Sequence, residues 1–293
     1  MNENCDMMLG LLGPDGTFTA EAGYNYIERM RIAPRIKWCS SIEACFGAVE
    51  KCEAERAVVP ILNSTTDAAW VNQTLKGLRE NGIMIYDEQI LPVRHHLAAL
   101  PGAMPEDIEY ISSKDKAVQQ CGMHIAALEK KLGKKLEIEY VNSTAASAQR
   151  IRDENLKNHA AIVSQRAVDI YGLDILVRDM QDDKANKTRF IIISRYDHEP
   201  TGDDKTTVLW EFKDAEDSGL LNRILSEFSA RGISLRYIQS LPKDGSLDNF
   251  TFYCDIRGHR EGKCLKEAVE AVQRNPDIIY FKIMGSYPAY RKT

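Results

Sequence analysis

The sequence predicts an α/β protein that carries a second, smaller βαββαβ unit at its C-terminal end. Up to about residue 196, short apolar strands alternate with helical segments, which is the pattern of α/β architectures. Residues 197–204 are polar and contain Pro and Gly, which is the composition of a linker. Residues 205–293 then show elements in the order βαββαβ, which predicts a ferredoxin-like sandwich.

Bulk composition narrows the class of protein. A chain of 293 residues is longer than one ordinary core, so we expect two or three domains. Hydrophobic residues make up 44% and charged residues 28%, as in soluble globular proteins. The net charge of −5 and the lack of a Lys/Arg block argue against a nucleic-acid partner. No apolar run approaches the ~20 residues of a membrane span.

Cysteine usage and the first residues predict a cytoplasmic protein. The seven cysteines form no CxxC pair, and no His stands at zinc-finger spacing, so we expect free thiols and no metal site. Residues 1–6 carry an acidic pair where a signal peptide has basic residues. The neighbours His95 and His96 point to opposite faces of a predicted strand and are not expected to share a metal. Either one of them, with His95 as the candidate, faces a cleft, or it is a buried, satisfied histidine.

The elements before the linker follow from apolar runs, turn residues and N-caps. β-branched and aromatic runs predict strands, Gly and Pro mark turns, and Ser41 is an expected N-cap. The predicted strands cover 8–12, 56–61, 83–86, 90–93 with its continuation 95–100, 108–111, 136–141, 160–163, 174–177 and 190–193. The predicted helices cover 20–30, 42–51, 116–132, 145–152 and a segment that ends at Gly172.

Hydroxyl residues follow four of these strands, just before a predicted helix. Ser and Thr are ordinary N-caps, and the free N–H groups of a helix start also bind anions. Either interpretation suffices for one such residue. Four of them, with Arg189 on a later strand, predict a cleft that receives negative charge. The residues are Thr17, Ser64, Ser113 and the pair Ser143-Thr144.

The stretch 186–190 places a hydroxyl beside a permanent positive charge at the start of an apolar strand. A guanidinium offers a planar fork to carboxylates, and a Thr hydroxyl gives or takes one hydrogen bond. Thr188 and Arg189 together could hold an anionic small molecule and act on its leaving group. Phe190 either packs a pocket or belongs to the core.

The C-terminal unit contains strands over 206–212, 233–241, 249–256 and 278–287 and helices over 218–231 and 261–274. The edges of such a sheet can pair with another copy, so oligomerisation through this unit is expected.

Ordered motifs along nearly the whole chain resemble those of the prephenate dehydratases fused to a C-terminal ACT regulatory domain. Each motif alone is short, and their order carries the resemblance. They are 13–19 (similar to G-P-x-G-T-F-S), 59–64 (similar to V-P-I-E-N-S), 71–75, 113–121 (similar to S-H-P-Q-A-L-x-Q-C), 143–145, 160–164, 171–173 and 186–190.

The resemblance implies a fold of two α/β lobes, like a periplasmic binding protein, with the site between them. The implied catalytic domain covers 1–196. Its lobe 1 comprises about 1–88 and 182–196, and its lobe 2 comprises about 89–181. The linker 197–204 and an ACT domain over 205–293 follow.

The resemblance also implies conversion of prephenate to phenylpyruvate with loss of water and carbon dioxide. That reaction needs charge positioning and a proton for the hydroxyl, with no metal or redox cofactor. Thr188 would act on the leaving hydroxyl and Arg189 on a carboxylate. The other implied substrate contacts are Thr17, Asn63, Ser64, Ser113, Thr144 and Phe190.

The ACT resemblance implies an amino-acid effector and assembly of copies. L-Phenylalanine is the implied effector, and a homodimer or homotetramer is the implied assembly. A purely structural, dimerising role for this domain stays open. The implied effector contacts are Gly219, Leu220, Leu221, Gln239 and Ser240.

Several positions depart from the family pattern. Leu62 replaces a Glu, residues 114–116 replace His-Pro-Gln, and 65–71 is two residues longer. The effector motif E-S-R-P reads Q-S-L-P at 239–242, which weakens the expectation of phenylalanine feedback. These changes leave three alternatives open: an arogenate dehydratase, a decarboxylase that does not aromatise prephenate, and a non-catalytic anion sensor.

Overall fold

The structure, a computed structural model, describes residues 7–65, 69–213, 218–243 and 249–291. The chain divides into two compact units. The first contains the residues up to 45 together with 58–72 and 89–190, and the second contains 46–57, 73–88 and the residues from 191 onward. The lobe and domain boundaries expected from the sequence stay a prediction.

Strands and helices alternate through the first 194 residues, as the apolar pattern predicts. In chain order the elements are β1 (Met8–Leu12), α1 (Phe18–Met30), β2 (Arg35–Cys39), α2 (Ile42–Glu50), β3 (Arg56–Asn63), α3 (Ala69–Glu80), β4 (Met84–Pro92), β5 (His96–Ala99), β6 (Tyr110–Ser113), α4 (Asp115–Gln119), α5 (Gly122–Leu132), β7 (Glu137–Tyr140), α6 (Thr144–Asp153), β8 (His159–Val163), α7 (Gln165–Tyr171), β9 (Asp174–Val177) and β10 (Lys187–Ser194).

The first sheet has the strand order β2-β1-β3-β10-β4, and β1 pairs with β2 in parallel. Helix α1 lies against β1 because Gly23 leaves room for it. A Cβ at Gly23 would come within 2.4 Å of Leu11 Cδ2. The order places β3 beside β10, so the end of β3 meets the start of β10. This is where the sequence predicts Asn63 and Thr188.

The second sheet has the order β7-β6-β8-β5-β9. Strand β6 pairs in parallel with β7 and β8, whereas β5 is antiparallel to β8 and β9. Its two faces are covered by different helices. Val118 and Ile125 of α4 and α5 pack with Ile111 on one face, and Ile151 and Val168 of α6 and α7 pack with Ala161 on the other. A sheet covered on both faces is the architecture that continuous apolar strands predict.

The C-terminal elements confirm the βαββαβ order. They are β11 (Asp204–Phe212), α8 (Leu220–Ser229), β12 (Leu235–Pro242), β13 (Phe250–Arg257), α9 (Lys263–Gln273) and β14 (Ile278–Pro288). The strand order is β12-β13-β11-β14, and each strand is antiparallel to its neighbours. Both helices cover one face, where Phe228 and Val269 pack against Trp210.

Three sequence-based expectations about elements are corrected. The predicted strands 83–86 and 90–93 form one strand, β4, which ends at Pro92 because proline lacks the N–H that would continue the ladder. The predicted continuation 95–100 is the separate strand β5. The single helix predicted over 116–132 is two helices, with a break at Gln120 and Cys121.

Some expectations fall on residues 66–68 and 244–248, outside the described part of the chain. They concern part of the stretch 65–71, which is two residues longer than the family pattern, and part of the turn that the sequence predicts over 242–245. Among the described residues, no helix is long and apolar enough to cross a membrane.

Candidate active site

The start of β10 is buried. Thr188, Arg189 and Phe190 are each at most 7% exposed. Successive side chains of a strand point to opposite faces, so Thr188 and Phe190 share one face and Arg189 projects from the other. A ligand that touches both Thr188 and Arg189 therefore meets them from different directions.

Asn63 joins the end of β3 to the start of β10. Its Nδ2 donates to Thr188 Oγ1 at 2.9 Å and to Asn186 Oδ1 at 2.9 Å. The next residue, Ser64, strengthens the same connection. Its backbone N donates to Lys187 O at 2.9 Å, and its Oγ accepts from Lys187 N at 2.9 Å. These bonds hold Thr188 in place from a segment more than 120 residues away in the chain.

Further hydrogen bonds lead from Asn63 to His95. Asn63 Oδ1 accepts from the backbone N of Thr65 at 3.0 Å and from Thr65 Oγ1 at 2.9 Å. Thr65 Oγ1 in turn accepts from Gln120 Nε2 at 3.2 Å. Gln120 Oε1 lies 3.0 Å from His95 Nε2. We call this series, which consists of His95, Gln120, Thr65, Asn63 and Thr188, the amide–hydroxyl chain.

Two backbone groups set the direction of the bonds in the amide–hydroxyl chain. The N–H of Thr65 can only donate, and the carbonyl of Lys187, which accepts from Asn63 Nδ2 at 3.2 Å, can only accept. Asn63 therefore turns its Oδ1 toward Thr65 and its Nδ2 toward Lys187 and Thr188. The Thr65 hydroxyl then donates to Asn63 Oδ1 and accepts from Gln120. Gln120 is left to present its Oε1 to His95, whose Nε2 carries the hydrogen.

Thr188 is the last residue of the amide–hydroxyl chain and accepts a hydrogen bond from it. Its Oγ1 accepts from Asn63, and within the described residues that is its one hydrogen-bond partner. A hydroxyl has one donor hydrogen and two acceptor lone pairs. Because Asn63 uses a lone pair, the hydrogen of Thr188 is left to be donated to a ligand.

His95 is the neutral end of the amide–hydroxyl chain. Burial lowers the pKa of His95 to about 4 and outweighs its hydrogen bond with Gln120, which acts in the other direction. The ring is therefore uncharged at neutral pH and carries one hydrogen, as the direction of the chain requires. The ring of Phe18 meets it edge-on at 5.2 Å, and Gln181 Oε1 accepts from its backbone N at 2.9 Å. Of the sequence-based alternatives, a cleft-facing histidine and a buried, satisfied one, the structure shows a buried His95, whose Nδ1 has no hydrogen-bond partner among the described residues.

The break between α4 and α5 positions Gln120. Asp182 accepts from the backbone N of Met123 at 3.0 Å and of His124 at 3.3 Å, which satisfies the first N–H groups of α5. The backbone N of Asp182 donates to Gln120 O at 2.7 Å. A continuous helix would bond that carbonyl within itself. The break instead lets Gln120 extend its side chain to Thr65 and His95.

The remaining predicted contacts lie at helix starts or in the sheet. Thr17 is the N-cap of α1 and accepts from Ala20 N at 3.2 Å. Thr144 is the buried first residue of α6, which Ser143 caps. Ser113 is fully buried and donates to Ile162 O at 2.7 Å. In the part of the chain that the structure describes, none of the three is recorded with a hydrogen bond to Thr188. Their role in substrate binding stays a prediction.

The turn after β1 is fixed to the start of α7. Ser164, the N-cap of α7, donates from Oγ to Gly16 O at 3.0 Å. Arg166 forms two bonds to the carboxylate of Asp15, at 2.8 and 3.1 Å. Burial alone would raise the pKa of Asp15, but these bonds outweigh it and hold the pKa below its ordinary value. Gly16 has a φ of +85°, a conformation that favours glycine.

The predicted effector contacts lie at the start of α8 and on β12. Gly219 is the N-cap of α8 with a φ of +86°, and Leu220 is buried. Gln239 Oε1 accepts from Tyr237 OH at 2.7 Å, and Ser240 is exposed on the same strand.

Sequence reasoning missed Gln120 and Thr65 as parts of the site. Gln120 lies inside the motif 113–121, but the sequence predicts one continuous helix over 116–132. In such a helix nothing distinguishes Gln120 from the residues around it. Thr65 follows Asn63 and Ser64 directly, where a run of polar residues at a strand end was the available signal. Among the described residues, no group of three or more His, Cys, Asp or Glu is arranged to hold a metal.

Known proteins resemble this chain over most of its length. The family model described as prephenate dehydratase matches residues 9–198. A bifunctional chorismate mutase/prephenate dehydratase of Aquifex aeolicus is 32% identical over 277 residues, which make up 94% of this chain and 72% of that protein. Arogenate dehydratase 1 of Petunia hybrida is 34% identical over 266 residues, or 85% of this chain and 60% of that protein.

A solved structure agrees with these sequence matches. It is a prephenate dehydratase from Arthrobacter aurescens in complex with L-Phe. It matches with a TM-score of 0.82 and 29% identity, over 97% of this chain and 90% of that chain.

Proposed function

Because this chain belongs to the prephenate dehydratase family, we propose that it converts prephenate to phenylpyruvate in L-phenylalanine biosynthesis. Prephenate has two carboxylates and a ring hydroxyl. When the ring carboxylate leaves as carbon dioxide, its electron pair completes the aromatic ring. The bond from the ring to the hydroxyl breaks at the same time, and the hydroxyl takes up a proton and leaves as water. Water and carbon dioxide are the two products besides phenylpyruvate.

The observation that carries this proposal is that Thr188 Oγ1 accepts from Asn63 and, among the described residues, donates to no other group. A Thr hydroxyl is too weak an acid to transfer its proton in advance, so its role is to donate a hydrogen bond to the departing oxygen as negative charge develops there. Asn63 supports that role because it occupies a lone pair of Thr188 and turns the hydrogen outward. Acid help of this kind is worth ~10²–10⁴-fold in rate.

We assign Arg189 to a substrate carboxylate. The support is its permanent charge and its place next to Thr188 on β10. Since the two side chains leave the strand on opposite faces, the carboxylate and the departing hydroxyl approach β10 from different sides. Phe190 shares the face of Thr188. The further substrate contacts in this proposal are Thr17, Asn63, Ser64, Ser113, Thr144 and Gln120.

The test is to add prephenate to the purified protein and measure phenylpyruvate by its absorbance in alkali. An aromatic keto acid supports the proposal. A non-aromatic keto acid identifies a decarboxylase. Stabilisation against heat without turnover identifies an anion sensor.

Arogenate dehydratase is the second candidate, because a Petunia hybrida protein with that name is 34% identical to this chain. Arogenate carries an amino group where prephenate has a keto group, and its dehydration gives phenylalanine directly. Parallel assays with the two substrates, compared as kcat/KM, separate these candidates.

We further propose that the C-terminal unit is an ACT domain that binds L-phenylalanine through Gly219, Leu220, Leu221, Gln239 and Ser240. The relative of known structure was solved with L-Phe. We also propose a homodimer or homotetramer that works in the cytoplasm. Repeating the assay with L-phenylalanine tests regulation, and light scattering after size-exclusion chromatography tests assembly.

A further inference from the structure

Thr65 is the one member of the amide–hydroxyl chain that bonds to its neighbours on both sides through a single oxygen. Its Oγ1 donates to Asn63 Oδ1 at 2.9 Å and accepts from Gln120 Nε2 at 3.2 Å. The bond to Asn63 spans two residues, whereas the bond to Gln120 spans 55. Thr65 therefore joins a strand end to a distant helix break.

The hydroxyl of Thr65 also decides which way Gln120 faces. An amide side chain can rotate by half a turn and exchange its oxygen and nitrogen at little cost in shape. The Thr65 hydroxyl has given its hydrogen to Asn63, so it can only accept from Gln120. Gln120 must then present Nε2 to Thr65 and Oε1 to His95. Without that hydroxyl, only His95 would constrain the rotation.

The same hydroxyl also helps to orient the side-chain amide of Asn63. Asn63 Oδ1 receives two donors, the N–H and the hydroxyl of Thr65. Both keep Oδ1 turned away from Thr188 and thereby keep Nδ2 directed at Thr188 Oγ1. If the hydroxyl is lost, the N–H of Thr65 and the carbonyl of Lys187 still orient Asn63, so its arrangement is weakened and not abolished.

We propose that Thr65 is a positioning residue for the dehydration, which through its hydroxyl orients Asn63 and Gln120 and so directs the hydrogen of Thr188 at the departing oxygen. The proposal rests on the proposed function. It assigns Thr65 no contact with the substrate. Its effect is thus expected in the rate of the chemical step and not in the affinity for substrate.

The test compares two variants at one position. Thr65→Val removes the hydroxyl with almost no change in shape, and Thr65→Ser keeps it. We expect Thr65→Val to lower kcat about 5- to 10-fold, the effect of one neutral hydrogen bond, with KM within twofold. We expect Thr65→Ser to stay within twofold of the wild type in both constants.

Thr201→Val is the matched control. Thr201 Oγ1 donates to Asp204 Oδ1 at 2.5 Å, so the same change removes a hydroxyl hydrogen bond, here to a carboxylate, that is outside the amide–hydroxyl chain. Its kcat is expected to match the wild type. A kcat for Thr65→Val within twofold of the wild type overturns the proposal, and so does an equal loss in Thr65→Ser.

Failure of the proposed function is recognised separately, because the wild type would then form no phenylpyruvate or phenylalanine. The side-chain amide signals of Gln120 and Asn63 in a nitrogen–proton NMR spectrum provide a readout that needs no turnover. We expect both to shift in Thr65→Val and to keep their wild-type positions in Thr65→Ser and Thr201→Val. Unchanged signals in Thr65→Val overturn the proposal.

Discussion

Two polar clusters, one in each compact unit, are built from opposite kinds of groups. The amide–hydroxyl chain consists of two hydroxyls, two amides and an imidazole that burial keeps uncharged. The second cluster is charged. Glu211, whose side chain is 2% exposed, accepts from Arg79, from Lys243 Nζ at 2.7 Å and from Thr251 Oγ1 at 2.8 Å. We call these four residues the Glu211 cluster.

The two clusters differ in whether they leave a hydrogen-bonding group available to a ligand. Arg79 and Thr251 bond to one oxygen of Glu211 and Lys243 to the other. Burial by itself raises the pKa of Glu211, but these bonds together outweigh it and hold the pKa below its ordinary value. Both carboxylate oxygens of Glu211 are thus paired within the cluster, whereas the amide–hydroxyl chain ends in a hydroxyl with a hydrogen to donate. A buried donor that is still available distinguishes a candidate site better than buried charge does.

Removing that available hydrogen should have the largest effect of all. We expect Thr188→Val to lower kcat at least tenfold, toward the ~10²–10⁴-fold range of acid help, because the departing oxygen loses its donor. The free energy of unfolding should change by only about 1 kcal/mol. Phenylpyruvate assays and urea unfolding measure the two quantities.

Thr206→Val is the matched control in the C-terminal sheet. Thr206 Oγ1 donates to Gly258 O at 2.7 Å and lies 2.8 Å from Ser286 Oγ. The same change there should lower stability by about 1–2 kcal/mol and leave kcat unaltered. Near-normal turnover in Thr188→Val would rule out the role given to Thr188.

Protonation of His95, a member of the amide–hydroxyl chain, should lower the stability of the protein in acid. Its pKa is about 4 in the folded protein and about 6.5 in an unfolded chain, so the unfolded state binds more protons between these values. Stability is therefore lost as the pH falls from 6.5 to 4, by about 3 kcal/mol for this group. Urea unfolding across this range, compared with His95→Gln, isolates the contribution. Equal pH dependence in both proteins would contradict it.

The stability that the Glu211 cluster contributes should be lost at a lower pH than the contribution of His95. Glu211→Gln leaves Arg79 and Lys243 without their shared carboxylate. Because both cations are partly exposed, the expected loss is about 2 kcal/mol at pH 7. A lowered carboxyl pKa contributes stability above about 4.5, the ordinary value, and that contribution disappears as the pH falls through the folded value. The difference between wild type and Glu211→Gln should therefore shrink below pH 4.

The activity of this variant is the second measurement. We expect kcat per folded molecule to be unchanged, because the Glu211 cluster offers nothing to substrate. A tenfold loss of kcat in correctly folded Glu211→Gln would erase the distinction between the two clusters.

The smallest effect sets the baseline for both clusters. Ser41 is outside both, and its Oγ accepts from Ala44 N at 3.1 Å at the start of α2. Ser41→Ala should cost about 1 kcal/mol of stability, as for other N-caps, and show no dependence on pH between 4 and 7. Ser41→Thr, which keeps the cap, is its control. A change in kcat for Ser41→Ala would show that stability alone affects the assay.

Sequence patterns predicted the elements well and their interruptions badly. Apolar runs located nearly every strand, and the βαββαβ order was confirmed because each of those elements carries its own periodicity. The break at Gln120 was missed, since nothing local separates it from a helical turn. Its cause is Asp182, which supplies hydrogen bonds from a loop about 60 residues away.

In the candidate site, too, some residues could be predicted from local sequence and others depend on contacts between distant segments. Asn63, Ser64 and Thr188 could be named from the sequence because polar residues at strand ends form a recognisable pattern, and the structure joins them. Thr65 and Gln120 could not, because their roles depend on an encounter between segments 55 residues apart.

The sequence by itself therefore determined the local structure and the family, because periodicity, turn residues and ordered motifs each lie within a short stretch of the chain. Only the tertiary structure decided which hydroxyl keeps a hydrogen to donate. The direction of the amide–hydroxyl chain depends on where two backbone groups, the N–H of Thr65 and the carbonyl of Lys187, meet the Asn63 amide. Folding alone brings the partners of this chain to hydrogen-bond distances of 2.9–3.2 Å.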